Sequence, residues 1–222
     1  MYRSMEIMAD LEREVAELRQ YFRSGKTKDA SWRRTQLQGL HKFVTEREDD
    51  ILRALKLDLG KHPVEAFRDE VGTLIKDINV ALDSLDSWMR GQKIKLPLPG
   101  IGTKVELLPE PLGVVFIIST WNYPFGMSLE PLIGAIAAGN AAMVKTSELA
   151  PASSALLADA LPAYVDTRAV KIVQGGHDVN DKLLQFKWDK IFFTGTQFHA
   201  FGQDSIFVSY GFKLLNIPLL KH

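Results

Sequence analysis

Ile7, Leu11, Val15, Leu18 and Phe22 recur at steps of four, four, three and four residues. That spacing lines one face of an α-helix, and Ser24-Gly25 closes it. A second helix is predicted from Ser31 to Leu59, with Leu37, Leu40, Val44, Ile51 and Leu55 along its apolar face and Gly60 as its stop. A third opens with Pro63, placed in the first turn where a missing N–H costs nothing. It carries Val71, Leu74, Ile75, Ile78, Leu82 and Leu85 and ends at Gly91. These stripes are faces turned to a core and carry no functional signal.

From residue 92 to 111 the chain is punctuated by Pro97, Pro99, Gly100, Gly102, Pro109 and Pro111, the composition of a connector. Within it, Thr103 to Leu108 can form an extended strand outside the core. Then the period changes. GVVFIIS (113–119) is a continuous apolar, β-branched run of the kind a buried parallel strand shows. After it the pattern predicts a helix over Phe125–Ala138, a strand over Ala142–Lys145, and a helix over Pro151–Ala160. A strand over Val170–Val173, a helix over Val179–Phe186 and a strand over Lys190–Thr194 complete the series. Strands alternating with helices predict βαβ units, hence a parallel sheet with helices on both faces. Right-handed crossovers make the doubly wound arrangement the expected one. The expected class is α/β: a helical region over 1–91, the connector 92–111, a Rossmann-like unit over 112–196, and a segment 197–222 that fits neither period and is left unassigned.

Composition narrows the chemistry. The 222 residues carry 27 basic and 27 acidic side chains, for a formal net charge of zero. No one-sided basic face of the kind nucleic acid or anionic lipid needs emerges from that mixture. A small molecule or a protein partner is expected instead. The longest apolar stretch, Leu132 to Val144, is interrupted by Gly134, Gly139 and Asn140 and is shorter than the roughly 20 residues that span a bilayer. The amino terminus has no apolar core of a secretory signal, so a soluble, cytoplasmic protein is expected. With no cysteine in the chain, disulfides, thiolate metal sites and thiol nucleophiles are excluded for these residues. His41, His62, His177, His199 and His222 never fall three or four apart, so no helical metal pair is expected.

In an open parallel sheet, ligands bind beyond the carboxyl ends of the strands. That rule selects STWNYP (119–124), KTSE (145–148), QGG (174–176) and FTGT (193–196). Asn122 has two readings: a turn residue in an Asn-x-Pro bend, or an amide donor to an oxygen that becomes negative. Lys145 and Glu148 are either a solvated loop pair or a pair that bonds ribose hydroxyls. Gly195 and Thr196 can admit a phosphate and cap the next helix, although a lone Gly-Thr is weak by itself. No GxGxxG follows any predicted strand, so the usual dinucleotide fingerprint is absent.

Taken together, PEPLGVVFIISTWNYPFGMSLEPLIGAIAAGNAAMVKTSELAP (109–151) and DKIFFTGT (189–196) closely resemble the aldehyde dehydrogenase superfamily. The upstream stretches FRSGKTKDASWRRTQLQGL and ALKLDLGKHPVEAFRDEVG resemble its class 3 branch, whose members favour medium-chain, fatty and lipid-derived aldehydes. The resemblance runs from about residue 10 to residue 196 and implies an NAD- or NADP-dependent oxidation of aldehydes to acids. It implies that Asn122 helps hold the oxyanion, that Trp121 lies beside the cofactor, and that Lys145 and Glu148 bind the adenosine ribose. Gly175 would line the adenine side, with Gly195 and Thr196 against the pyrophosphate.

From Gln197 onward the likeness stops. The ELGG glutamate, the nucleophilic cysteine and the glutamate that holds the nicotinamide ribose have no counterparts here. The expectation is an aldehyde dehydrogenase fold cut before its catalytic cysteine, a truncated isoform inactive as this chain, its last segment an alternative transcript, intron read-through or gene-model error. A non-catalytic nucleotide-binding or regulatory fragment that pairs with full-length subunits is the alternative, and a conceptual translation with no stable product a third reading.

Overall fold

Val114–Ile118 is apolar at every position, and all five residues are buried. A strand buried on both faces must lie inside a sheet covered by helices on each side. That is the arrangement in the computed structural model, which describes residues 2–94 and 105–194, with side chains described from residue 8 onward. Gly195, Thr196, the segment 197–222, and residues 95–104 of the connector lie outside the described residues.

The elements in chain order are α1 (Tyr2–Arg23), α2 (Ala30–Glu46), α3 (Glu48–Leu59), α4 (Pro63–Ala66) and α5 (Gly72–Met89). There follow β1 (Gln92–Ile94), β2 (Val105–Leu107), β3 (Val114–Ile118), α6 (Gly126–Ala137), β4 (Ala141–Lys145), α7 (Pro151–Ala160), β5 (Val170–Val173), α8 (His177–Leu183) and β6 (Lys190–Phe193). The main sheet has the order β5-β4-β3-β6, with every pair parallel. After β5 the chain returns across the sheet to the far side of β3. With crossovers of one hand, that reversal puts the next helix on the opposite face.

Packing follows this rule. Val115, Ile117, Ala142, Val144 and Val170 face a core built with α2, α3, α5, α6 and α7. Val114, Phe116, Ile118, Met143 and Val173 face the other core, which holds Leu11, Val15 and Leu18 of α1 and Val179 and Leu183 of α8. The amino-terminal helices are therefore divided between the two faces, α1 on one and α2–α5 on the other.

Two expectations change. The helix predicted from Ser31 to Leu59 is two helices separated at Arg47, which has φ −108° and ψ 18°. Val44 and Ile51 sit seven apart, two helical turns, so a one-residue break leaves no mark in the apolar stripe. The break redirects the chain: α2 packs on α5 and α6, whereas α3 packs on α7. It also opens a fresh helix end where Glu48, Asp49 and Asp50 fill the first turn, a favourable place for acidic groups. The predicted third helix contains a five-residue π-helical turn, Phe67–Val71, between α4 and α5. In the connector, β2 falls within the predicted Thr103–Leu108 strand, but its antiparallel partner β1 was not anticipated.

Candidate functional site

β3, β4 and β5 end level with one another, and their backbones stay bonded one step further. Ser119 N donates to Lys145 O at 3.0 Å and Thr146 N to Val173 O at 3.0 Å. Residues 119–122, 145–148 and 174–176 therefore emerge side by side at one rim of the sheet. β6, on the other side of β3, ends at the same rim. The strand order reverses between β3 and β6, which is where an open α/β sheet forms its ligand crevice. Thr194 is the last described residue there.

At the end of β4, Lys145 Nζ donates to Glu148 Oε2 at 2.9 Å. The lysine side chain is 6% exposed and the glutamate 37%, so a buried cation presents a carboxylate that solvent reaches. Burial pushes the Glu148 carboxyl up. The Lys145 hydrogen bond, its own backbone N–H and the charges of Lys145 and His177 outweigh that and hold it below its ordinary range. The turn after β5 meets this pair. Gly175 has φ +148°, and a Cβ there would fall into the Val179 side chain. Only glycine fits this turn. Gly176 brings backbone to the same place: a Cβ on it would lie 3.8 Å from Glu148 Oε1.

At the end of β3, Trp121 is half exposed. Asn122 is exposed, and its Oδ1 accepts from Thr120 Oγ1 at 2.6 Å. That bond fixes the amide oxygen, and no hydrogen bond from the amide NH2 is found among the described residues. The Asn122 carbonyl accepts from Lys61 Nζ at 2.9 Å. Beside this turn lies an open cleft of about 330 Å³ lined by Asp69, Thr73, Tyr123, Gly126, Met127 and Glu130.

A donor and an acceptor held 2.9 Å apart match the two vicinal hydroxyls of a ribose, one of which donates while the other accepts. The Gly175–Gly176 turn brings backbone up beside them. These residues fit an adenosine moiety. Of the residues singled out in the sequence, the structure brings Lys145, Glu148 and Gly175 together and sets Trp121 and Asn122 one strand away. Gly195 and Thr196 lie outside the described residues. Lys61, Glu70 and Thr120, which hold the Asn122 turn, were missed. Thr120 is adjacent in sequence and could have been found, whereas Lys61 and Glu70 reach the turn from more than fifty residues away.

Comparison with known proteins agrees with this geometry. Residues 6–200 match the Aldehyde dehydrogenase family. Aldehyde dehydrogenase family 3 member F1 of Arabidopsis thaliana is 48% identical over 193 residues, covering 86% of this chain and 40% of the relative. Aldehyde dehydrogenase family 3 member A2 of Rattus norvegicus is 44% identical over 185 residues, covering 83% of this chain and 38% of the relative. Among solved structures, Staphylococcus aureus AldH in a substrate-bound state superposes with TM-score 0.81 at 38% identity, over 82% of this chain and 40% of that one. The chain thus spans about two fifths of the length of these relatives. A glyceraldehyde-3-phosphate dehydrogenase from Methanocaldococcus jannaschii, solved with NADP, shares the fold with TM-score 0.69 at 21% identity, over 84% of this chain and 41% of that one. Sheet order, the polar rim at the strand ends, and these sequence matches agree, and the chain belongs to the aldehyde dehydrogenase family.

Proposed function

We propose that this chain supplies the nucleotide-binding and carbonyl-polarising part of an NAD(P)-dependent aldehyde oxidation. The observation that carries the reading is the Lys145–Glu148 pair, set against the Gly175–Gly176 turn at the ligand rim of the sheet. In this reading Lys145 donates to one ribose hydroxyl of the adenosine and Glu148 accepts from the other. Gly175 lets the adenine lie against backbone, and Trp121 packs beside the cofactor. Gly195 and Thr196, outside the described residues, are assigned to the pyrophosphate by the family resemblance alone. The bound nicotinamide supplies the hydride acceptor. The Asn122 amide, aimed by Thr120, donates to the aldehyde oxygen as negative charge develops there. Medium-chain, fatty and lipid-derived aldehydes are the substrate class proposed. The covalent step needs a thiolate and a base for water. With no cysteine among the 222 residues, the chain does not supply the thiolate.

Calorimetric titration of the chain with NAD and NADP tests the reading. Glu148 accepts from a free 2′-hydroxyl but repels a 2′-phosphate, so NAD should bind at least as tightly as NADP. A Lys145→Ala, Glu148→Ala double variant should lose about tenfold or more in affinity, the loss of two charge-assisted hydrogen bonds. Equal binding by the parent chain and the double variant would remove these residues from the site.

A further inference from the structure

Helix α6 opens without a side-chain cap from its own sequence. Serine, threonine or aspartate just before a helix normally meets its first N–H groups, yet here the acceptor comes from far along the chain. Glu70 Oε2 accepts from Phe125 N at 2.9 Å and from Gly126 N at 3.2 Å. Its other oxygen, Oε1, accepts from Lys61 Nζ at 2.7 Å. The Glu70 side chain is completely buried and that of Lys61 is 11% exposed. All of these partners are donors, which is the environment of an ionised carboxylate. Burial holds the Glu70 carboxyl above its ordinary value, and Lys61 and the two backbone N–H groups offset only part of that rise.

A neutral cap would satisfy the helix end without desolvating an ion pair, which is a costly arrangement. What the charged pair adds is reach. The same Lys61 Nζ donates to the Asn122 carbonyl at 2.9 Å and lies 4.0 Å above the Tyr123 ring, a cation–π contact. Glu70 holds the end of the turn at Phe125 and Gly126, and Lys61 holds its start at Asn122 and Tyr123. Glu70 sits in the π-helical turn Phe67–Val71, a local distortion found often at functional sites.

We propose that Lys61 and Glu70 are positioning residues for Asn122, clamping the 122–126 turn at both ends so that the amide is presented in one orientation. The inference rests on the oxyanion role read for Asn122 above.

The test uses the full chain labelled with ¹⁵N and records three signals: the Asn122 side-chain NH2 pair (assigned by its loss in Asn122→Asp), the Trp121 indole N–H, and exchange of the Phe125 and Gly126 amides. Lys61→Met keeps the apolar stem and removes the donor; Glu70→Gln keeps the shape and removes the charge; Lys61→Arg keeps charge and donor. We expect Lys61→Met and Glu70→Gln to shift and broaden the Asn122 and Trp121 signals. Exchange of the Phe125 and Gly126 amides in Glu70→Gln should speed up by about tenfold as the turn opens locally. Lys61→Arg should restore the Asn122 signals. A simple helix cap would alter Phe125 and Gly126 exchange alone; Asn122 signals unchanged in Lys61→Met and Glu70→Gln would overturn the clamp. If Lys61→Met fails to fold, Lys61→Arg and Glu70→Gln decide the matter by the same signals. An NAD titration of the parent chain in the same spectrometer keeps the two ideas apart. No binding there overturns the cofactor reading, whatever the variants do to Asn122.

Discussion

Glu130 has no ionic partner among the described residues, and three effects raise its carboxyl to about 7: burial first, then the negative charges of Asp77 and Glu70. Between the ordinary 4.5 and that value, the unfolded chain has released the proton while the folded chain still holds it. Stability therefore falls as pH rises through this window. The contribution is complete below about 4.5 and lost above about 7. Glu130→Gln keeps the shape without the charge. It should stabilise the chain at pH 8 by about 1 kcal/mol, a discounted figure because the carboxyl retains some contact with solvent. It should also flatten the pH dependence of Tm between pH 5 and 7. Parallel pH profiles for the parent and Glu130→Gln would contradict this account. The positions of Trp121, Asn122, Lys145 and Glu148 were legible in the sequence because each lies at or shortly past the end of a strand, and strand ends are where such sheets bind ligands. Glu130, Lys61 and Glu70 were not. Their roles depend on which helices meet in space, and nothing local in the sequence encodes that meeting.

At the scale of elements, α7 illustrates both sides. Its start at Pro151 and end at Ala160 were predicted from the proline and the apolar run, and the helix spans those residues. Its cap was not legible. Ala150 offers no side-chain acceptor; instead Asp58, at the end of α3, accepts from Ala152 N at 2.9 Å and Ser153 N at 2.7 Å. Asp58→Ala should therefore cost about 1–2 kcal/mol and lower Tm by a few degrees, with Asp58→Asn retaining most of the stability. An unchanged melting curve for Asp58→Ala would show that water replaces the cap. The strands of the main sheet were easy to place: β3 is an apolar, mostly β-branched run, and β5 carries three β-branched residues around Lys171. The break at Arg47 was invisible for the opposite reason: the apolar spacing passes through it undisturbed.

At the scale of the whole molecule, one sheet joins both faces of the core, and its strand ends form a single polar rim. In the proposed reading Asn122 polarises a carbonyl, but no oxyanion forms without an attacking group. The hydroxyls of Ser119 and Thr120 are no substitutes. Ser119 is buried and bonded to Ser128 Oγ at 2.8 Å, and Thr120 is committed to Asn122. A polypeptide of these 222 residues should form no NADH with a medium-chain aldehyde. The loss of a covalent nucleophile removes on the order of 10⁶ in rate. Turnover abolished by Asn122→Ala would show that another group attacks. The central claim is that the rim beyond β4 and β5 binds the adenosine end of the cofactor, and titrating the ¹⁵N-labelled chain with NAD tests it most directly. The largest backbone shifts should fall on Lys145 to Glu148 and on Gly175 and Gly176, with the Trp121 indole moving at the same NAD concentration. Shifts confined to another cleft, such as the one lined by Gln38, His41, Lys42, Thr45, Asn79 and Leu82, or no shifts at all, would contradict it.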